Sequence, residues 1–179
     1  MKKILPLMLM LMLLISGTAL ASPTVGVLLI GDSSYKTTNF YDYVKEYMEG
    51  KGDYRLLISD DFQGKWQEYW LDKGELEEQK PTKNDLLSFV SYSGCDKVLY
   101  LICKDPVTDK KRAGLFGEDE SWRTSVSVNA FLCNKEGVVK TSNISREDDS
   151  NRSELRARRG AFKKAVREIS ATMNPLLAQ

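Results

Sequence analysis

Three positions carry acidic residues where an α/β protein does its chemistry. Gly31, Asp32 and Ser33 directly follow an apolar run, Thr24 to Ile30. Asp60 follows a second run, Tyr54 to Ser59, and Asp105 follows a third, Lys97 to Cys103. Carboxylates at the carboxyl ends of parallel strands line the edge where open sheets bind ligands. Gathered there, they could hold a hard cation such as Mg²⁺ or Ca²⁺. Paired across a cleft, they could act as acid and base on a glycosidic bond. Asp and Ser are also ordinary residues of turns and helix caps, so each position has a purely structural reading as well. Ser33 adds a hydroxyl nucleophile, but the 179-residue chain contains no histidine. That removes Ser-His-Asp and Cys-His couples, His-bearing zinc sites and His-ligated haem. A serine hydroxyl without a base is a weak nucleophile. No Walker A or GxGxxG pattern occurs, so no nucleotide cofactor is expected, and no metal ligand set is assigned.

Gly31-Asp32-Ser33 after a strand resembles the first block of GDSL/SGNH-type hydrolases, in which the serine is the nucleophile. The resemblance covers a tripeptide and its context. Those enzymes need a late Asp-x-x-His pair, and the C-terminal region here is a basic helix with no histidine. A hydrolase or carbohydrate-active enzyme using Asp32, Ser33, Asp60 and Asp105 is therefore the alternative, and a binding protein the leading reading.

Other residues point the same way. The three cysteines, Cys95, Cys103 and Cys133, have no imidazole to activate them. Two antiparallel strands turning near residue 114 would set Cys133 opposite residue 95 and Cys103 opposite residue 125. Cys95–Cys133 is then the expected disulfide, with three simple core residues as the other reading. Trp66, Tyr69 and Trp70 form a dense aromatic group that could stack sugars or peptides, or cover the edge of the core. In the last helix Arg152, Arg156, Arg159, Lys163 and Arg167 align in a basic ridge beside an apolar stripe of Leu155, Phe162, Val166, Ile169 and Met173. The ridge could dock an acidic partner or anionic head groups, or be a solvated face.

The chain start explains where such a protein would work. Lys2 and Lys3 precede an apolar stretch from Ile4 to Ile15, and Ala19-Leu20-Ala21 supplies a small-x-small cleavage pattern. Residues 1–21 read as a secretory signal peptide cleaved after Ala21. The stretch falls short of the about 20 residues of a membrane span, and no cysteine stands at the cleavage point for lipidation. The expected location is the periplasm or the exterior, with no transmembrane span after cleavage. Lys+Arg 26 against Asp+Glu 25 gives a net charge of +1, and losing Lys2 and Lys3 takes it just below zero. Nucleic acid is not an expected partner.

Residues 22–179 read as one domain. Strands are expected at 24–30, 54–59, 97–103 and 124–133, with a return strand from Val138 after a turn closed by Gly137. Helices are expected from Asn39, where Asn39 and Asp42 are spaced as a capping box, over 63–80 with a break at Gly74, from Thr82, and over Ser153 to Met173. Thr82 and Asp85 form a second capping box, and Gly94 ends that helix. Residues 104–121 and 143–152 are polar and read as loops. The order is β-α-β-α-α-β-β-β-α. Right-handed crossovers make the first three strands parallel. The expected fold is a single-domain α/β sandwich with a mixed sheet of about five strands and a C-terminal amphipathic helix.

That order carries a second resemblance. Cys95-Asp96-Lys97-Val98-Leu99-Tyr100, the long strand Thr124 to Cys133, the turn at Gly137 and the helix around Ala161 and Ala165 are similar to exported bacterial domains of the CsgG and TolB N-terminal type. The similarity covers most of residues 22–179 in architecture. It implies a non-enzymatic envelope module that binds or assembles with a protein or cell-wall partner, with the basic ridge and the charged segment 104–121 as contact surfaces. The lipoprotein cysteine and the membrane-strand segments of CsgG are absent, so a secretion-pore role is not implied.

Overall fold

The structure, a computed structural model, describes residues 22–75, 80–113 and 119–179. The signal peptide expected over residues 1–21 lies outside the described residues, as do the last part of the 63–80 helix and the turn near residue 114. In order, the chain forms β1 (Thr24–Ile30), a 3-10 turn (Ser33–Tyr35), α1 (Thr38–Met48), β2 (Arg55–Leu57), α2 (Asp60–Asp72) and α3 (Lys83–Ser93). β3 (Lys97–Cys103), β4 (Val107–Ala113), β5 (Asp119–Asn134), β6 (Gly137–Ser150) and α4 (Glu154–Leu177) follow.

The strands make one mixed six-stranded sheet. β1 lies between β2 and β3, parallel to both. β5 is antiparallel to three strands. Its second half pairs with β3, its first half with β4, and nearly its whole length with β6. The mixed α/β sandwich with a C-terminal helix is therefore the fold, with one strand more than about five. Beyond the end of β3, β4 takes over the same edge of β5, so β4, β5 and β6 extend as a three-stranded arm.

β4 lies within residues 104–121, for which the sequence predicts a loop. Its sequence is charged and lacks an apolar period. Pairing to β5 is reinforced side chain by side chain instead: Lys110 Nζ to Glu120 Oε2 at 2.8 Å and Thr108 Oγ1 to Thr124 Oγ1 at 3.1 Å. Residues 143–150, also read as a loop, complete β6 in the same way. Arg123 donates to Asp149 at 2.9 Å on one face, and Lys164 to Asp148 at 2.6 Å on the other. Polar cross-strand pairs replace apolar ones there.

Alternation along β1 divides the core. Val25, Val27 and Leu29 face one side, joined by Leu99, Leu101, Val126, Val128, Ala130 and Leu132. α1 and α4 cover this side with Phe40, Val44, Met48, Ala161, Phe162, Ala165, Val166, Ile169 and Met173. Leu28, Val98, Tyr100 and Cys133 face the other side, under Phe62, Trp66, Tyr69, Trp70, Leu86, Phe89 and Val90 from α2 and α3. Gly26 lets α2 come this close, since a Cβ there would lie 2.1 Å from Phe62 Cζ.

Several helix limits differ from expectation. α2 starts at Asp60, because the Ser59 side chain caps it by accepting the Phe62 N–H at 3.3 Å, with Asp60 and Asp61 favourably placed in its first turn. α1 is preceded by Thr37, with no side-chain cap, in place of the Asn39–Asp42 box. The Thr82–Asp85 capping box is present, and Gly94 ends α3 in the left-handed conformation at φ 73°. α4 continues through Pro175 to Leu177. Leu155, expected in the apolar stripe, is exposed, while Ala157, Ala161 and Ala165 are fully buried against the sheet. Among the described residues no helix is long and apolar enough to cross a membrane.

Candidate functional site

From β1 the chain crosses through α1 to β2 on one side, then returns through α2 and α3 on the opposite face to β3 on the other side. The chain thus leaves the carboxyl end of β1 towards β2 and the carboxyl end of β3 towards β4, in opposite directions along the sheet. A crevice must open between the ends of β1 and β3, the position where doubly covered sheets bind ligands. A cavity of about 750 Å³ lies there. Ile30, Ile102, Asn129 and Phe131 form its floor, and Gly31, Asp32, Lys36, Lys80, Pro81, Cys103, Lys104 and Asp105 its walls.

Two of the three strand-end carboxylates meet in this crevice. Asp32 and Asp105 line it, whereas Asp60 opens α2 and is not among its lining residues. Asp32 is committed to its own turn: its Oδ1 accepts the Ser34 N–H at 2.8 Å. Hydrogen bonding from the Ser34 side chain and backbone, with Arg158 nearby, outweighs desolvation and holds its carboxyl below the usual range. It therefore stays ionised and offers no proton for acid catalysis. Ser33 is exposed, and among the described residues its hydroxyl makes no hydrogen bond. Ser34 is held instead, by Arg158 Nη1 at 2.6 Å. Arg158 Nη2 also reaches Glu154 at 3.0 Å, and Glu154 accepts from Thr108 of β4 at 3.1 Å.

The two rims of the crevice are fixed to each other. Tyr35, buried beneath the turn, donates its hydroxyl to the Lys104 carbonyl at 3.4 Å. Gly31 sits at φ 149°, and a Cβ there would lie 2.7 Å from the Cys103 carbonyl oxygen. Only glycine suits that conformation and that approach. Among the described residues no group of three His, Cys, Asp or Glu side chains could hold a metal ion.

The basic ridge divides, and Arg152 lies before α4, which begins at Glu154 after its Ser153 cap. Arg152, Arg156 and Arg167 are exposed, and Arg159 is half-buried. Lys163 donates to Glu46 of α1 at 2.9 Å and lies over the rings of Tyr43 and Tyr47, at 5.4 and 5.8 Å from their centroids. It is a tie between two helices.

Trp66, Tyr69 and Trp70 are core residues, not a platform. Trp66 and Trp70 are each 1% exposed, and Trp66 packs edge-on to Phe89 at 4.9 Å. The cysteines are free and buried, so the expected Cys95–Cys133 bridge is not formed. The β3–β5 register sets Cys133 opposite Val98 and Cys103 opposite Val128, three places from the expected alignment. β4 continues nearly the same alignment, with Ala113 opposite Asp119, so the two strands face each other about a slightly later centre than residue 114.

Sequence reasoning did not single out Lys36, Lys80, Asn129, Phe131 or Arg158, and it took Lys104 only as part of the charged segment 104–121. Lys104 stood beside Asp105 at the end of the same strand and carried the same positional signal. Asn129 was visible as an amide in an alternating strand. Lys80 had no signal, since its place depends on where α3 begins over the sheet.

No protein-family model matches the chain, and no curated protein sequence matches it. Solved structures of similar layout exist at low identity. A hypothetical protein from Chlamydia trachomatis is 12% identical over 88% of this chain and 98% of its own, with a TM-score of 0.48. A lipoprotein from Neisseria meningitidis is 15% identical over 88% and 99%, with a TM-score of 0.47. A minor lipoprotein from Acinetobacter baumannii is 10% identical over 88% and 96%, with a TM-score of 0.45.

Proposed function

We propose that the chain is an exported, non-enzymatic envelope protein that docks an acidic protein partner through the outer edge of α4. The observation that carries this reading is the state of three arginines. Arg152, Arg156 and Arg167 are exposed, and among the described residues their side chains enter no ion pair or hydrogen bond. Other cations of α4 are used inside the molecule: Arg158 on Ser34 and Glu154, Lys163 on Glu46 and Lys164 on Asp148. Spare like charges on α4 and in the bend just before it attract an opposite surface and speed its encounter. Export is supported by the basic, apolar and small-residue succession of residues 1–21, and binding over hydrolysis by the unassisted Ser33 and the engaged Asp32. The CsgG and TolB N-terminal resemblance of the sequence agrees with a partner-binding module.

The test is charge reversal in the full chain. Arg152→Glu, Arg156→Glu and Arg167→Glu together should lower in-cell crosslinking to the partner roughly tenfold, the lower end of what steering charges contribute. Lys51→Glu, an exposed change in the turn after α1, should leave it intact. An unchanged crosslinked species in the triple variant would sink the α4 docking surface.

A further inference from the structure

We infer that the crevice between the carboxyl ends of β1 and β3 binds a small organic anion with an apolar body. Its position follows from the strand order, since the chain leaves β1 towards β2 and leaves β3 towards β4, and the two exits part at this point. Its volume of about 750 Å³ falls within the roughly 300–1,000 Å³ of small-molecule sites.

The floor selects an apolar body. Ile30 pairs with Ile102, which pairs with Asn129, so these three form one row across β1, β3 and β5. Phe131 lies two residues further along β5. Ile30, Ile102 and Phe131 are only partly buried, at the margin of the core under α2 and α3. A ligand lying on this row would remove that apolar surface from water. Among the described residues the Asn129 amide has no partner, so it has a donor and an acceptor to orient a polar substituent.

The walls select a negative head group. Lys36, Lys80 and Lys104 stand against Asp32 and Asp105, an excess of one positive charge. Of the two carboxylates, Asp32 is engaged with its own turn, its Oδ1 accepting the Ser34 N–H. Lys80 and Lys104 are exposed and among the described residues enter no ion pair. The Ser34 N–H, the backbone donor that a strand-end turn would offer to a phosphate, is taken by Asp32. The head group must therefore be met by flexible ammonium groups, which suits a carboxylate or sulfonate on a hydrophobic frame. The same lysines oppose a metal cation. The site is separate from the exposed arginines of α4, so either surface can fail its test without the other.

The probe is anilinonaphthalene sulfonate, which joins fused aromatic rings to one sulfonate, titrated into the folded protein and followed by fluorescence. One saturable site is expected. Lys80→Glu with Lys104→Glu should weaken it at least roughly tenfold, as loss of two steering charges implies, while Arg156→Glu with Arg167→Glu leaves it unchanged. Phenylnaphthylamine, the uncharged relative of the probe, should bind more weakly and not respond to the lysine changes. Should the double charge reversal perturb folding, Lys80→Gln and Lys104→Gln singly give the same ordering with smaller steps. Absence of saturable binding, equal binding by the lysine variants, or a loss that follows the α4 variants would each overturn the assignment.

Discussion

Arg158 reaches from α4 to Ser34 and Glu154 and so locks the turn after β1 against the helix. Nothing in the spacing of Arg158 separated it from its neighbours Arg156 and Arg159. Its role depends on which side of α4 meets the turn, and that is settled by Ala157, Ala161 and Ala165 packing on the sheet. Asp32 was legible as a strand-end carboxylate, yet its use as a cap for Ser34 was equally consistent with the same residues. The cysteines follow a plainer rule. Burial pushes Cys133 up to about 11 and raises Cys95 and Cys103 as well. The thiolate is the reactive form, so the folded protein should resist iodoacetamide near pH 8. After denaturation without reductant three alkylated thiols are expected by mass spectrometry, whereas a Cys95–Cys133 disulfide would leave one.

At the scale of elements, α3 shows how a short signal can be decisive. Thr82 accepts the Asp85 N–H, Asp85 accepts the Thr82 N–H at 2.7 Å, and Lys73 closes on Asp85 at 2.6 Å from the end of α2. Burial alone would push the Asp85 carboxyl up, but the hydrogen bonds from Lys73 and Thr82 outweigh it and leave it lowered. A depressed carboxyl stabilises the fold at neutral pH and loses that contribution as pH falls through its folded value. Asp85→Asn should therefore cost about 1–3 kcal/mol near pH 7, the range for a charged hydrogen-bonded group. Urea unfolding should show the gap from the unmodified protein narrowing as pH falls below about 4, the ordinary Asp value. A gap independent of pH would mean that the ionised form contributes nothing. The capping box was legible because both partners lie within four residues. β4 and the outer half of β6 were not, because their partners lie across the sheet and their polar pairs leave no period in either strand.

For the whole molecule, β5 sets the hierarchy of stability. Val128–Asn134 is bonded to β3 on one side and β6 on the other, while β4 and β2 each have a single strand neighbour. Native-state hydrogen exchange should find β3 and this half of β5 most protected, with β4 and β2 opening roughly tenfold or more faster, as edge elements do. Equal protection throughout would argue against β4 as an edge. The crevice was legible in outline from the helix-strand order, since parallel strands with crossovers imply a binding edge. Its lysine rim was not, because Lys80 arrives only through packing of α3. The strand order also has a consequence in time. β1 is central, apolar on both faces and first to be made, yet its second neighbour β3 lies far downstream, and the Thr24 N–H waits for Asp96, 72 residues on, to accept it at 2.7 Å. At roughly 5–20 residues per second of synthesis, about 4–15 s pass before that partner exists. During that interval Val25, Val27, Leu28 and Leu29 are a sticky nascent segment, and survival of the chain depends on whatever shields them until β3 arrives.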